Sequence, residues 1–298
     1  MRASLGLVLC GTLSEPMATT LFWTVICLEN FFLTNIKGKN LKAIILAAGQ
    51  GTRLRPYTNE KPKCMVELCG KPMLNRQLKV LRDAGIERIL LVGGYCYEFL
   101  NIENVELAVN TRYAETNMVS SLFVAEQWMT PGEDILIVYG DIVYELKVLQ
   151  SLLNCDAPVA ISVDLDWLKL WRGRMEDPLS DAETLKMIDG NKIVELGKQP
   201  KSLDDIQGQY MGLIKVRGDH VQAFRNAWHS LDKKTIYDGK DFDNMYMTSF
   251  LQCLIDQDHD VRAAFTKNGW LEIDTVEDLK CYERMELEGS LITLMKLD

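Results

Sequence analysis

Residues 46–56 read Leu46-Ala47-Ala48-Gly49-Gln50-Gly51-Thr52-Arg53-Leu54-Arg55-Pro56, and the basic turn Lys61-Pro62-Lys63 follows them. Small residues in such a loop let backbone N–H groups approach a phosphate chain closely. Arg53 offers a planar fork of donors for outer phosphates, and Lys63 offers a point charge. The loop therefore predicts a binding site for a nucleoside triphosphate.

Short apolar runs alternate with amphipathic segments on both sides of this loop. Residues 43–47 predict a strand, and residues 73–84 carry apolar side chains at helical spacing up to Gly85. Further strands are predicted at 89–92, 105–109, 134–138, 159–163, 192–196, 210–216 and 261–265, with helices at 119–129, 220–231, 245–256 and from 276 onward. We expect an α/β protein, a Rossmann-like three-layer sandwich with a mixed, mainly parallel central sheet.

The composition is that of a globular protein, with 298 residues, 47% hydrophobic and 25% charged. A net charge of −9 without a long Lys/Arg cluster argues against a nucleic-acid or anionic-membrane partner. The eight cysteines are scattered, and with only three histidines there is little material for a zinc site or a Ser/His/Asp triad. We expect reduced cysteines and a cytoplasmic location, and the sequence leaves a homo-oligomer open.

Residues 1–40 differ from the rest of the chain. They hold two short apolar runs, and Glu29 and Asn30 interrupt the second near its end. Neither run resembles a membrane span of about 20 apolar residues, and no small-residue signal cleavage site is present. We expect residues 1–40 to be an extension outside the fold and residues 41–298 to form one domain. Membrane attachment through the extension is the alternative.

Two aspartates follow predicted strands, Asp141 after residues 135–138 and Asp274 after residues 270–273. Ligands in open α/β sheets lie beyond the carboxyl ends of strands, so both aspartates can face one cleft. Mg²⁺ prefers hard oxygen ligands and usually takes one or two carboxylates together with phosphate oxygens. A helix-capping role is the alternative for each, above all for Asp274, which directly precedes a predicted helix.

The Gly-rich loop fills every fixed position of the pattern L-A-A-G-x-G-[ST]-R-x-x-P-x-T followed by P-K. Through it the chain resembles the sugar-phosphate nucleotidyltransferase superfamily, which has a MobA-like NTP transferase domain, from residue 42 to about residue 282. The resemblance implies nucleotidyl transfer, metal binding by Asp141 and Asp274, and catalytic roles for Arg53, Lys63 and Lys198. It also implies nucleotide contacts from Leu46, Ala47, Ala48, Gly49, Gly51, Thr52 and Arg53.

Residues 110–121 bear on the choice of base. They lack the Gln and the Gly-Leu-Ala run of thymidylyl- and glucose-type relatives, and they resemble the N-x-x-S segment of phosphocholine cytidylyltransferases. This resemblance implies CTP as the donor, with Asn117 and Ser120 near the pyrimidine and ribose and Gly94 beside the base. A helix cap is the alternative for the Asn and Ser side chains.

The acceptor pocket is expected in the second half, where residues 164–183 are unusually polar and hold two tryptophans. Aromatic faces and acids suit an ammonium group, and arginines suit a phosphate. Trp167 and Trp171 are spaced so that helix packing is an equal alternative, and Asn244 is also a candidate helix cap. The predicted substrate residues are Asp166, Trp167, Trp171, Tyr210, Gly212, Asp243 and Asn244.

The second half is similar to cytidylyltransferases of surface-polysaccharide clusters, including those that resemble the CTP:phosphoglutamine enzyme. We expect Mg²⁺-dependent transfer of CMP from CTP to a phosphocholine, aminoalkylphosphonate or phosphoglutamine type of acceptor, with release of pyrophosphate, in surface-polysaccharide decoration. One alternative is a sugar-1-phosphate nucleotidyltransferase that uses UTP, GTP or dTTP. Another is a non-catalytic nucleotide-binding module.

Overall fold

The computed structural model describes residues 40–297, so the prediction of an N-terminal extension concerns residues that lie outside the described part. The strands are β1 Leu41–Ala47, β2 Glu67–Leu68, β3 Lys71–Pro72, β4 Arg88–Gly93, β5 Glu106–Val109, β6 Asp134–Tyr139, β7 Ile142–Tyr144, β8 Val159–Asp164, β9 Leu185–Ile188, β10 Lys192–Leu196, β11 Gln209–Val216, β12 Val261–Thr266 and β13 Trp270–Glu272. The helices are α1 Met73–Asp83, α2 Met118–Val124, α3 Leu146–Asn154, α4 Trp167–Arg174, α5 Val221–Ser230, α6 Met247–Asp256 and α7 Val276–Leu287.

Nine of the described strands form one mixed sheet in the order β5-β4-β1-β6-β11-β8-β12-β10-β9. Strand β1 pairs in parallel with β4 and β6, β4 with β5, and β8 with β12. Strand β11 runs antiparallel to both of its neighbours, and β10 is antiparallel to β12 and β9. The mixed, mainly parallel sheet expected from the sequence is therefore confirmed.

Side chains of β1 alternate between the two faces of the sheet, as the period of a strand requires. Ile44 and Leu46 join one large apolar cluster with Leu122 of α2, Phe224 of α5 and Phe250 of α6. Helix α1 packs against β7, and α3 packs against β8 and β12, outside this cluster. The two groups of helices enclose the sheet, as expected for a three-layer sandwich.

Several elements differ from the prediction. The helix predicted at 119–129 ends at Val124, and a 3-10 turn, Glu126–Trp128, follows it. Helix α4 lies within the polar segment 164–183, where the spacing of Trp167 and Trp171 had left a helix as an alternative. Helix α3 and the strands β2, β3, β7 and β9 were not predicted, whereas β13 lies within the strand predicted at residues 270–273. Strand β7 is only three residues long, which is too short to show a hydrophobic period.

The ribbon of β7 and β13 positions the functional site. Glu272 pairs with Ile142, and the Ile273 N–H donates to the Asp141 carbonyl oxygen at 3.0 Å. Because Asp141 directly precedes β7 and Asp274 follows β13, this pairing brings the two aspartates together.

Among residues 40–297, no helix is long and apolar enough to cross a lipid bilayer.

Candidate active site

The Gly-rich loop after β1 packs directly on the turn that carries Lys63. Gly51 has a φ of 59°, the left-handed region, and a Cβ atom there would lie 2.9 Å from Lys63 Cβ. The Thr58 hydroxyl donates to the Gly51 carbonyl oxygen at 2.8 Å and closes the loop. A side chain at position 51 would therefore strain the backbone and displace Lys63.

Lys63 bridges the two aspartates. Its Nζ donates to Asp141 Oδ2 at 2.8 Å and also to Asp274 Oδ1, and Arg53 Nη2 lies 3.2 Å from Asp274 Oδ2. Burial alone would lower the pKa of Lys63, but the two carboxylates outweigh it and the net pKa is raised. Burial likewise opposes ionisation of Asp274, yet the neighbouring cations lower its pKa. Lys63 and Asp274 are therefore both charged at neutral pH.

The second oxygen of Asp141 is available to a ligand. Asp141 Oδ1 is buried and has no hydrogen-bond partner within the described residues, whereas its Oδ2 accepts from Lys63. In residues 40–297 no group of three or more His, Cys, Asp or Glu side chains could hold a metal ion by itself. Two carboxylates are nevertheless enough for a cation that takes its other ligands from a phosphate and water.

Two buried side chains hold the aspartates in place. Gln77 of α1 donates its Nε2 to the carbonyl oxygens of Tyr139 at 2.7 Å and Ile142 at 2.6 Å, on either side of the turn that carries Asp141. Arg174 of α4 contacts Asp274 and the neighbouring Glu272. Its Nη1 lies 2.6 Å from Glu272 Oε2 and its Nη2 lies 3.7 Å from Asp274 Oδ2.

Arg174 also reaches α7. Its Nε and Nη2 donate to the two carboxylate oxygens of Asp278 at 3.0 and 3.3 Å. Asp278 Oδ2 in turn accepts from the backbone N–H groups of Asp274 and Thr275 at 3.0 and 2.9 Å, and the Thr275 hydroxyl accepts from the Asp278 N–H at 3.0 Å. This capping box fixes the backbone of Asp274 at the start of α7.

Two cavities meet at this ion cluster. The first cavity is lined by Leu46, Ala47, Ala48, Gly49, Lys63, Cys64, Tyr113, Thr116, Asn117, Met118, Ser121, Gly140 and Asp141. The second cavity is lined by Arg53, Asn117, Met118, Tyr139, Trp171, Asp181, Glu183, Gln209, Tyr210, Met211, Gly212, Tyr246, Met247, Thr248, Trp270, Glu272 and Asp274. Because Asn117 and Met118 line both, a ligand in one cavity would adjoin a ligand in the other.

Most of the predicted loop residues line these cavities, and several other predicted site residues do not. The residues that line neither cavity are Gly51, Thr52, Gly94, Ser120, Lys198, Asp166, Trp167, Asp243 and Asn244. Lys198 Nζ lies 2.6 Å from Asp238 Oδ1. Asp166 accepts from the Asn268 side chain at 3.3 Å, and Trp167 is buried edge-on against Trp171, with ring centroids 5.7 Å apart. The structure thus places these groups in packing and pairing roles.

The start of α2 shows why Ser120 lies outside the first cavity. Asn117 caps the helix by accepting from the Met118 N–H at 2.8 Å. Ser121 lines the first cavity, whereas Ser120 donates to the Asp243 carbonyl oxygen at 2.8 Å. Helical spacing could not have separated the two serines, because positions three and four residues after Asn117 both lie near it on the helix surface.

Asp243 and Asn244 support this helix start from a neighbouring turn. The Asp243 carboxylate accepts from Arg112 Nη2 at 2.7 Å, and its carbonyl oxygen accepts from the Asn117 N–H at 2.9 Å. The Asn244 carbonyl oxygen accepts from the Asn117 side chain at 3.3 Å. Both residues therefore act on Asn117 rather than lining a cavity themselves.

Cys64 was not predicted as a site residue, although it lines the first cavity beside Lys63. Burial raises the pKa of its thiol to about 12. Because the thiolate is the reactive form of cysteine, Cys64 is inert at neutral pH and contributes packing. The described cysteines, which are Cys64, Cys69, Cys96, Cys155, Cys253 and Cys281, are all free.

Glu183 is a half-buried carboxylate in the wall of the second cavity. Burial raises its pKa to about 7; a hydrogen bond from the Thr248 hydroxyl at 3.2 Å opposes the rise, and Asp181 and Asp238 add to it. It forms no ion pair with a lysine or arginine of residues 40–297. The sequence analysis noted the polar segment around it but did not select this residue.

Gly94 packs against the Gly-rich loop, and we expect Gly94→Ala to lower the free energy of unfolding. A Cβ atom at this position would lie 2.6 Å from the Ala48 carbonyl oxygen and 2.6 Å from Tyr113 Cβ. Overpacking of this kind costs about 1–3 kcal/mol. Urea denaturation measures the change. Gly49→Ala is the matched control, because nothing lies within 4 Å of its added methyl group. Equal stability of the two variants would contradict the close approach at Gly94.

Comparisons with known proteins agree with this geometry. A family model described as the MobA-like NTP transferase domain matches residues 43–186. The CTP:phosphoglutamine cytidylyltransferase of Campylobacter jejuni subsp. jejuni serotype O:2 is 42% identical over 249 residues, which cover 80% of this chain and 98% of that protein. The choline-phosphate cytidylyltransferase of Streptococcus pneumoniae is 40% identical over 91 residues, or 29% of this chain and 40% of that protein.

Solved structures show the same fold. The inositol-1-phosphate CTP transferase from T. maritima superposes with a TM-score of 0.65 at 21% identity, over 87% of this chain and 98% of that chain. The CTP:phosphocholine cytidylyltransferase from Streptococcus pneumoniae superposes with a TM-score of 0.60 at 22% identity, over 83% of this chain and 99% of that chain. At these identities the likeness concerns the fold alone.

Proposed function

The chain belongs to the MobA-like NTP transferase family, and from this premise we propose that it transfers CMP from CTP to a small phosphorylated acceptor of the phosphoglutamine type. The observation that carries the proposal is the Lys63–Asp141–Asp274 cluster at the junction of two adjoining cavities. The 42% identity to a CTP:phosphoglutamine cytidylyltransferase, over nearly its whole length, supports the choice of donor and acceptor.

The first cavity is the proposed nucleotide site. Ala47, Ala48 and Gly49 line it, and nothing lies within 4 Å of a Cβ atom built on Gly49, so the loop leaves room for a phosphate chain. Asn117 and Ser121 also line it. The resemblance to cytidylyltransferases implies that Asn117 lies near the base and ribose, and we assign to Ser121 the role that it implied for Ser120. Lys63 lies where this cavity meets the second, which is the expected place for the α-phosphate.

The second cavity is the proposed acceptor site. An oxygen of the acceptor phosphate would attack the α-phosphorus from this side and form the new P–O bond. The bond from the α-phosphorus to the bridging oxygen of the β-phosphate would break in line, and pyrophosphate would leave with the electron pair. Lys63 and Arg53, which already flank Asp274, would stabilise the charge that grows on the phosphate oxygens.

The carboxylates of Asp141 and Asp274 fit a magnesium ion. The Oδ1 atom of Asp141 is buried without a hydrogen-bond partner in the described part of the chain, so one hard oxygen ligand is free to bind a cation. Bound Mg²⁺ would neutralise part of the triphosphate charge and polarise the α-phosphorus. Lys63, which bridges the same two carboxylates, would keep them oriented toward the α-phosphate.

Pyrophosphate release from the purified protein tests the proposal. CTP, UTP, GTP and dTTP would each be offered with Mg²⁺ against phosphoglutamine, 2-aminoethylphosphonate, phosphocholine and sugar 1-phosphates. We expect release with CTP and phosphoglutamine, loss of release with EDTA, and recovery on addition of Mg²⁺. Turnover only with a sugar 1-phosphate would overturn the donor and acceptor assignment, and CTP binding without release from any acceptor would indicate a non-catalytic module.

A cytoplasmic location, the lack of a nucleic-acid partner and a role in surface-polysaccharide decoration are parts of the proposal that rest on the sequence. A homo-oligomer stays open, and size-exclusion chromatography with light scattering would measure it directly.

A further inference from the structure

The second cavity holds carboxylates of two kinds. Glu272 and Asp274 have a cationic neighbour, because Arg174 lies 2.6 Å from the first and 3.7 Å from the second. Asp181 and Glu183 line the same cavity, and neither forms an ion pair with any other residue between positions 40 and 297. One part of the cavity wall therefore carries two carboxyl groups that no cation of the described residues balances.

Glu183 is the less accessible of these two carboxylates. One of its oxygens accepts a 3.2 Å hydrogen bond from the Thr248 hydroxyl, which brings no charge. A carboxylate withdrawn from water without a cationic partner is unfavourable, so a ligand cation bound here would be strongly favoured. A cation carried by the acceptor would therefore gain a partner that the protein itself does not use.

Trp171 is a second, independent sign that a polar ligand fills this cavity. Its side chain lines the cavity and is only 4% exposed, yet its indole Nε1–H has no hydrogen-bond partner within the described residues. Buried polar groups are almost always paired, either with protein, with water or with a ligand. A ligand with both an ammonium group and an acceptor oxygen would satisfy both Glu183 and Trp171.

We propose that Glu183 recognises a primary ammonium group on the acceptor, an inference that rests on the proposed function and specifies its acceptor site. A primary ammonium donates hydrogen bonds to a carboxylate, whereas a trimethylammonium group carries the same charge without an N–H donor. Asp181 adds attraction from the exposed rim of the cavity. The site therefore selects acceptors with a free amino group over their quaternary counterparts.

The pH dependence of acceptor use provides a supporting readout. Because Glu183 binds an ammonium only when ionised, and burial raises its pKa to about 7, kcat/KM for an amino acceptor should rise as the pH increases through 7. The titratable groups that act on Glu183, or on which it acts, are Asp181, Asp238, Tyr139 and Tyr210, and Lys198 pairs with Asp238 rather than with Glu183. Lys198 outweighs burial and lowers the pKa of Asp238, and burial raises the pKa of both tyrosines.

The experiment compares three acceptors on wild-type protein and Glu183→Gln. The acceptors are phosphoglutamine, its N,N,N-trimethyl derivative and its analogue with hydrogen in place of the amino group. We expect wild-type kcat/KM to be about 10- to 100-fold higher for phosphoglutamine than for either analogue. Glu183→Gln should lose about 10- to 100-fold on phosphoglutamine and keep its activity on the analogue without an amino group. It should also lose the rise in kcat/KM near pH 7.

The matched control is Glu176→Gln, which changes an exposed glutamate of the same polar segment. It should leave kcat/KM unchanged for all three acceptors. Glu183→Gln is isosteric and removes a charge without an ion-pair partner, so its thermal stability should not fall. Equal use of the three acceptors by the wild type, or an equal loss on all three in Glu183→Gln, would overturn the ammonium role. No turnover of phosphoglutamine by the wild type would instead refute the proposed function, and the inference with it.

Discussion

Lys63→Ala is expected to lower kcat for CMP transfer by about 100- to 1000-fold, the range seen when one preorganised charge-stabilising donor is removed. Lys63 is the buried cation that joins Asp141 and Asp274, and it lies where the proposed nucleotide and acceptor cavities meet. Its loss removes the positive charge that is proposed to lie beside the α-phosphate. It also leaves the carboxylates of Asp141 and Asp274 without the cation between them. Steady-state pyrophosphate release measures the effect.

Lys61→Ala is the control for this prediction, because Lys61 belongs to the same basic turn and lines neither of the two cavities. It should keep kcat within about twofold, as most surface substitutions leave a protein little changed. Circular dichroism and a thermal melt of both variants separate a loss of chemistry from a loss of fold. A Lys63→Ala protein that is folded and turns over at nearly the wild-type rate would contradict the catalytic role of Lys63.

Arg174→Met is expected to lower the free energy of unfolding by about 3–5 kcal/mol, because removing one partner leaves buried carboxylates without a cation. The Arg174 side chain is only 3% exposed, and it pairs with Glu272 at 2.6 Å and Asp278 at 3.0 Å. The Asp278 carboxylate also holds the backbone of Asp274. We therefore expect the same substitution to weaken catalysis through a displaced Asp274.

Urea denaturation with Arg172→Met as the control tests this second prediction. Arg172 lies on the exposed side of the same helix and forms no ion pair with other residues of the described part, so its loss should change stability by less than about 0.5 kcal/mol. Arg174→Lys keeps the charge but not the planar fork, so its free energy of unfolding should lie between those of Arg174→Met and Arg172→Met. An Arg174→Met protein as stable as Arg172→Met would show that the buried network contributes nothing.

Local patterns in the sequence were enough to predict most of the sheet and the cavity-lining Gly-rich loop. A buried strand such as β1 and an amphipathic helix such as α1 show their periods within a few residues. The Gly-rich loop is likewise contiguous, because its residues act through one stretch of backbone. The cavity-lining residues Leu46, Ala47 and Gly49 could therefore be identified before any contact was known.

The acceptor site was harder to predict, because its residues come from separate elements. Trp171 and Tyr210 were chosen for their chemistry and do line the second cavity, whereas Trp167 has the same chemistry but packs in the interior. Glu183 could not be distinguished from neighbouring acids, since its importance lies in burial without a cationic partner. Burial and pairing depend on what the rest of the chain places around a side chain.

By itself the sequence determined the fold class, and it predicted the Gly-rich loop and the chemical types of the proposed catalytic groups, since each is encoded within a short stretch of chain. Only the tertiary structure decided which groups act together. The pairing of β7 with β13 brings Asp141 to Asp274, and Lys63 joins them across the site. The strand at residues 270–273 was predicted, but the three-residue strand β7 has no readable period and the bridge through Lys63 leaves no local pattern. Both become visible only when the chain is folded.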